Sequence, residues 1–591
     1  WELAANETYC MIGYHSVSVI ADAWAKGIRN FDSNLALEAM KVSAEKDHYG
    51  LDAYRKYGHI AGDMYHEGVS KTLEYAYNDW CISMMAKQLK KQEDFDYFNT
   101  RAQSWKHIFD NTTGFMRARM NGTWFSPFSP YEVNFNYTEA NAWQYSFYVP
   151  QDISGMMDIM GGPIAFEQKL DSMFNAATQT TGREQADITG LIGQYAHGNE
   201  PSHHMAYLYN FVGRPHKTQE IVTRIMNEMY HNTPDGLCGN EDCGQMSAWY
   251  VFSAMGFYPV TPGIGDYILG RPFLDSVKIN LDNNKKFIIK AKNLSKENIY
   301  VASVTLNGKD YPKSYITHKD ILQGGELVFE MTNKPSGWGT TPANFPSTKT
   351  NENDVIPAPY IVFNSRAFRE STLISMSSAN SHCKLYYTTD ESEPDTSSKE
   401  YTNPFKIDHD IVIKAIAVDS NGIKSPVNTC KLNLIPKERS VKILSKYSPQ
   451  YAAGGDFALI DRVRGGNNFR TGTWQGYQGT DLTAIVDLGK ITSLKKIGAG
   501  FLQDTSPWIL FPEEVTFYIS SDGKKFKEVA TIKNTTPKNQ YGSIIKDFYQ
   551  DIDPQKARYI KLFAKYPGTL PIWHQGAGGD SFIFIDEIFF E

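Results

Sequence analysis

No run of about 18 apolar residues occurs in the 591-residue sequence, so no segment reads as a membrane-spanning helix. Cysteine is scarce: Cys10, Cys81, Cys238, Cys243, Cys383 and Cys430 are too few for a disulfide framework. Cys238 and Cys243 bracket a GNED turn, and Cys383 and Cys430 fall in one strand-rich region. Either pair could bridge, and free buried thiols fit as well. The spacing CGNEDC lacks the second Cys or His pair that a structural zinc needs. Excess positive charge is also missing. With 66 Asp and Glu against 59 Lys and Arg, the chain has no basic field for nucleic acid. Neither a solenoid-type repeat nor a low-complexity tract occurs, so the length implies roughly two to four separate cores. Aromatic residues, by contrast, are plentiful: 13%, with 35 Tyr and 11 Trp. Rings in that number serve large cores or flat platforms for polar ligands, and composition alone leaves both open.

The pattern along the chain changes twice. Over 1–260 the apolar spacing is helical, as in SVIADAWAKGI, NLALEAMKVSAEK, SKTLEYAYNDWCISMMAKQL, EDFDYFNTRAQSWKHIF, GPIAFEQKLDSMFNAA and KTQEIVTRIMNEMY. Several of these follow Asn, Asp, Ser or Thr caps, as in VSKTLEYA. The chain opens at Trp1 without Met and runs at once into helix-forming residues, which reads as a domain entered midway. Over 261–345 alternating strands with Asn-Gly and Gly-Gly turns take over. Residues 346–358 read as a linker. Short strands with turns every eight to twelve residues over 359–436 signal a β-sandwich, and 437–591 is again all β. The expected fold class is therefore multidomain: a helical domain with a β-rich tail, then two all-β sandwich domains.

Three polar clusters interrupt the helical region: TEANAWQYSF (138–147), HGNEPSHH (197–204) and GNEDCGQMSAW (239–249). Each joins carboxylates, amides or imidazoles to turn residues and then enters an apolar helix. Carboxylates set beside aromatic walls suit glycoside hydrolysis, which needs a proton donor and a second carboxylate for water or for the sugar. Glu139, Glu200 and Asp242 are the candidates. Trp143 and Tyr145 beside Glu139 would favour its acid form by desolvation. The plain alternatives are a helix N-terminal Glu for Glu139 and an N-cap for Asp242. Asn240, Glu241, Asp242 and Gln245 together offer more oxygen than a cap needs, which suits a hard cation or an oriented water. His197, Asn199, Glu200, His203 and His204 could hold a metal or sugar hydroxyls. A di-iron site would need a second Glu-x-x-His pair, and none occurs.

The blocks CMIGYHSVSVIADAWAKGIRNFD, YTEANAWQYSFYVPQD, HGNEPSHHMAYLYNF and CGNEDCGQMSAWYVFSAMGFYPVTPG, continuing through NIYVASVTLNGKDY and GGELVFEM, resemble glycoside hydrolase family 92, over about residues 1–345. The resemblance implies an incomplete (α/α)6 barrel with a β-rich tail, and a calcium-dependent, inverting exo-α-mannosidase. It implies Glu139 as general acid and Asp242 as base on water, with Asn240 where members often carry a second Asp. It ties Glu200 to α-1,2 linkage preference, and implies Trp143, His197, His203, Asn240 and Glu241 as substrate contacts and Asn199 and Gln245 near a Ca2+. Family members also carry an N-terminal β-sandwich closing over the barrel mouth, to which nothing here corresponds. The alternative reading is thus an incomplete barrel serving as a carbohydrate-binding scaffold. Residues 359–436, with YYTTDESEP, resemble the small sandwich of chitobiase C-termini. Residues 437–591, with DRVRGGNNFRTGTWQGYQGTDLTAIVDLG and IDEIFFE, resemble a discoidin or coagulation-factor type C domain used as a carbohydrate-binding module. That likeness implies a metal near Glu587 and sugar contacts at Trp474, Trp508, Trp573 or His574. The domain set implies mannose-containing glycans as partners and a secreted, periplasmic or cell-surface location. Oligomeric state is not legible.

Overall fold

The computed structural model describes residues 11–282, 284–350 and 355–591. The first ten residues, with Cys10, and positions 351–354 of the expected linker lie outside them. The described residues form two compact units. The described residues of 1–60, 67–117 and 126–355 make up the first, and those of 61–66, 118–125 and 356–591 the second. Among the described residues no helix is long and apolar enough to cross a membrane.

In the first unit all six expected helices form, at Ser16–Ala25, Ser33–Glu45, Gly68–Gln88, Gln92–Arg101, Pro163–Asn175 and Pro215–Glu228. Most are amphipathic. Gly68–Gln88 is not: it is buried on nearly every side as far as Ala86. Its polar residues therefore need internal partners. Asp79 receives Arg101 Nε at 2.7 Å and the hydroxyls of Tyr14 (2.6 Å) and Tyr54 (3.1 Å). Arg101→Leu would leave that carboxylate without its counter-charge. The expected loss is about 3–5 kcal/mol of unfolding free energy, read by denaturant melting against wild type.

The start of this helix corrects a sequence expectation. Ser70 is not its cap. The helix begins at Gly68, after Glu67 in left-handed backbone. A Cβ on Gly68 would stand 2.3 Å from the Ile60 carbonyl oxygen, so no side chain fits there. The N–H groups left free at a helix start need acceptors. Glu67 and Val69 donate to the carbonyls of Phe135 and Asn136, at 2.6 and 3.1 Å. Ser70 Oγ in turn accepts the Thr138 N–H at 2.9 Å. The loop that delivers Glu139 is thus strapped to the end of a buried helix.

Beyond Gln245–Met255 the unit turns to strands. Phe257–Tyr258, Asp266–Leu269 and Tyr315–Thr317 form one sheet. A five-stranded sheet orders Ser276–Asn280, Lys286–Lys292, Gly325–Thr332, Tyr300–Leu306 and Lys309–Asp310, with one parallel pair at its second junction. Asn307 and Gly308, both at positive φ, make the two-residue hairpin that Asn-Gly favours.

In the second unit, a three-stranded and a five-stranded sheet over 360–434 share one core around Ile361, Ile374, Ile413 and Leu432. A hairpin from the helical stretch of sequence, Arg119–Met120 with Thr123–Trp124, belongs to this unit. Asn121 explains why: its amide exchanges two 2.9 Å hydrogen bonds with the Lys431 backbone, as a strand neighbour would. A third, seven-stranded sheet is carried by two long bent strands, Leu482–Asp504 and Ser543–Ala564. Of the two alternatives left open for the cysteines, free thiols hold: Cys238, Cys243, Cys383 and Cys430 are all unbridged.

Candidate active site

Glu139 leaves the strapped loop at φ +50°. A non-glycine residue in that region carries strain of about 1–2 kcal/mol, which persists only where surrounding contacts impose it. The helix that follows, Ala142–Tyr145, is capped by Asn141. Its side chain accepts from the Trp143 and Gln144 N–H groups, and Gln144 Oε1 accepts from the Asn141 N–H at 2.9 Å. The capping role that Glu139 might have played is therefore filled, and its carboxylate is left to the site. Asn199 Nδ2 reaches it at 3.4 Å. Burial pushes its carboxyl above the ordinary range, and the charges of Asp187, Glu67 and Asp242 act in the same direction.

Asp242 repeats the arrangement. It lies at φ +51°, with Cys243 at +56°, just before Gln245–Met255. Glu241 supplies the cap: its carboxylate takes the Gly244 N–H and, at 3.0 Å, the Ser247 N–H. Asp242 is solvent-exposed. Asn240 donates to Asp187 at 3.3 Å, so the loop carrying Asp242 is tied to an acid that faces Glu139.

Glu200 completes the cluster on the short turn Glu200–Ser202. Burial raises its carboxyl to about 7, helped by the charges of Asp242, Glu139 and Glu74. Glu74, Glu67 and Asp187 were not legible as site residues. Glu74 sits in the buried helix and accepts from the Tyr145 hydroxyl at 2.9 Å and from the His15 ring. Its helix also carries Ser, Thr, Asn and Asp, which read as a solvated face, so no signal marked it. Asp187 had none, standing in a QADITG turn like any surface acid.

The histidines correct the sequence reading. His197 is wholly buried, with Nδ1 on the Tyr195 hydroxyl (2.8 Å) and Nε2 on the Tyr230 hydroxyl (2.7 Å). His203, also buried, faces the His197 carbonyl with Nε2 and the Gln245 amide with Nδ1. Burial lowers both rings, to about 2 and about 4, so they are neutral struts with no nitrogen left for a substrate. Trp143 likewise faces inward, edge-on to Phe115 at 4.6 Å.

Asn199 and Gln245 spend their amide nitrogens on protein acceptors, Glu139 for the first and His203 and Tyr258 for the second. Their side-chain oxygens remain for a hard cation, as the donor chemistry of calcium requires. Among the described residues no three His, Cys, Asp or Glu side chains form a metal cluster by themselves.

In the second unit, Glu587 accepts the Arg462 N–H at 2.9 Å beside Asp461. Burial lifts their carboxyls to about 9 and about 7, helped by the charges of Asp461 and Asp586 on Glu587 and of Asp586 on Asp461. Two crowded acids of this kind suit a cation. Of the lectin candidates, Trp474 is buried with its Nε1 on the Gly466 carbonyl, and His574 is buried against the Thr505 carbonyl. Trp508 is pressed against Gly576 and Gly579. Trp573 alone of the four stands out, 45% exposed beside Tyr541.

Residues 1–333 match the glycosyl hydrolase family 92 catalytic domain, 374–432 an Fn3-associated domain and 443–578 an F5/8 type C domain. An uncharacterized secreted glycosidase of Arthroderma benhamiae is 30% identical over 390 residues, covering 58% of this chain and 47% of that protein. A family 92 α-mannosidase of Bacteroides thetaiotaomicron, solved with mannoimidazole, is 42% identical with a TM-score of 0.56, over 58% of this chain and 46% of that one. An inverting mannosidase of the same family and organism is 37% identical with a TM-score of 0.53, over 58% and 49%. The chain thus spans about half the length of the relatives it matches. It carries a helical catalytic region followed by all-β modules, and it belongs to glycosyl hydrolase family 92.

Proposed function

We propose that the protein is a calcium-dependent, inverting exo-α-mannosidase that trims α-1,2-linked mannose from N-glycans or mannans outside the cytoplasm. Glu139 protonates the departing oxygen and Asp242 takes the proton from the attacking water. The observation that carries this reading is the paired relief from capping. Asn141 and Glu241 hold the two helix starts, while Glu139 and Asp242 stand free on strained backbone. Their environments also differ as an acid and a base require: Glu139 is desolvated among like charges, and Asp242 is open to water. Relatives described as family 92 α-mannosidases, one of them inverting, support the substrate class and the stereochemistry. The secreted relative supports the location.

Glu200, protonated in part near neutral pH, would donate to the sugar beyond the scissile bond and favour the α-1,2 linkage. Asn199 and Gln245 would help to hold a calcium ion, which supplies a fixed positive charge for sugar hydroxyls. Glu587, with Asp461, would hold a second, structural ion. The working division of the chain is 1–260, 261–345, 359–436 and 437–591, with a linker at 346–358.

The test is release of mannose from α-1,2-mannobiose, with calcium and after chelation. Release of β-mannose that falls at least tenfold with chelator and returns with calcium is expected. No release under either condition, with glycan binding intact, would overturn the enzyme reading in favour of a binding scaffold.

A further inference from the structure

A cavity of about 350 Å³ lies within the second unit, lined by Asp63, Met64, Arg366, Arg464, Asn467 and Thr473 among others. Its volume falls at the lower end of the roughly 300–1,000 Å³ usual for small-molecule sites. We propose that this cavity is a binding site for a single neutral pyranose, formed by Arg366 and Asp63 facing the 466–473 loop.

The chemistry of the lining carries the proposal. Arg366 Nε is buried and has no hydrogen-bond partner among the described residues, a costly state for a guanidinium in a folded chain. Asp63 gives Oδ2 to the Asn121 N–H at 3.0 Å and retains its other oxygen. Arg464 differs from Arg366 in being engaged, with Nε on Asp586 at 2.8 Å and a terminal nitrogen on Asp547. Neither arginine near the cavity is left without an acid: Asp63 and Asp461 lie near Arg366, and Asp586 and Asp547 hold Arg464. A lining with no positive charge to spare gives a phosphate or carboxylate ligand no advantage. A guanidinium fork that donates, opposite a carboxylate that accepts, fits the neighbouring hydroxyls of a neutral sugar. Met64, 45% exposed, offers the apolar surface that a sugar's C–H face covers.

The opposite wall is built in advance. Asn468 Oδ1 accepts the Arg470 N–H at 3.1 Å, and Thr471 Oγ1 donates to the Asn468 carbonyl at 2.8 Å. Ser543 Oγ ties the Asn467 carbonyl at 2.5 Å, and Trp474 Nε1 ties that of Gly466 at 2.8 Å. A loop fixed by four such bonds loses little freedom when a ligand arrives. The cavity shares no residue with the proposed catalytic cluster, and the inference neither needs nor predicts turnover.

The test titrates methyl α-mannoside, methyl α-glucoside, methyl β-galactoside and glucuronate into the whole protein carrying Glu139→Gln, followed by calorimetry. At least one neutral glycoside should bind, and Arg366→Gln and Asp63→Asn should each weaken it by about tenfold or more. Asn467→Ala, on the exposed loop, should weaken it too, which guards against a folding defect in the other two. Mannose release by the otherwise wild-type chain should be unchanged in all three. Unaltered binding in all three variants, binding of glucuronate alone, or loss on Trp573→Ala alone would each overturn the proposal.

Discussion

Glu139→Gln should lower turnover of α-1,2-mannobiose by about 10²–10⁴-fold while leaving the fold and the substrate affinity nearly intact. Glutamine keeps the shape and the Asn199 contact but has no proton to give. The size of the loss should depend on the leaving group. A dinitrophenyl mannoside departs without protonation, so the same variant should retain most of its activity on that substrate. A merely structural role for Glu139 would depress both substrates equally, and that result would remove it as the acid. Its burial, with the charges of Asp187, Glu67 and Asp242 nearby, raises its carboxyl above the ordinary range and so favours the acid form.

Asp242→Asn should be as severe, about 10²–10⁴-fold, but without leaving-group dependence. A base is needed whichever group departs, since the attacking water must lose its proton in either case. Glu241→Gln provides the contrast. Glu241 is bound to the Gly244 and Ser247 amides, so its loss should appear as a small drop in melting temperature rather than as a collapse of turnover. Full activity in Asp242→Asn, measured as mannose released with calcium present, would move the base elsewhere. A collapse in Glu241→Gln at wild-type stability would move it to Glu241.

Sequence pattern exposed the helices, because apolar residues recur on one face whenever only one face is buried. It did not expose the helix Gly68–Gln88 as buried on nearly all sides, since its Ser, Thr, Asn and Asp positions look solvated until their partners are placed. The three clusters were visible, but their internal assignments were not. Asn141 and Glu139, or Glu241 and Asp242, are chemically interchangeable as caps on paper. The backbone decides which member of each pair turns inward to the amides, and φ is not written in a pattern of residue types. Asp187 stayed hidden for a similar reason, because its influence on Glu139 arises only when two distant loops meet. The histidines pointed in the opposite direction: polar spacing suggested contact, whereas Tyr195, Tyr230 and Trp249 pack around His197.

The left-handed backbone at Glu139 and Asp242 is the conformation that glycine adopts without strain. Random substitution at either position therefore has an unusual optimum. The replacement that most relaxes the chain is also the one that removes the reactive group, so a screen for thermal resilience alone would drift toward an inert protein. Selection on turnover has to hold both positions against that drift, and a hardened variant of this chain needs its gains made elsewhere.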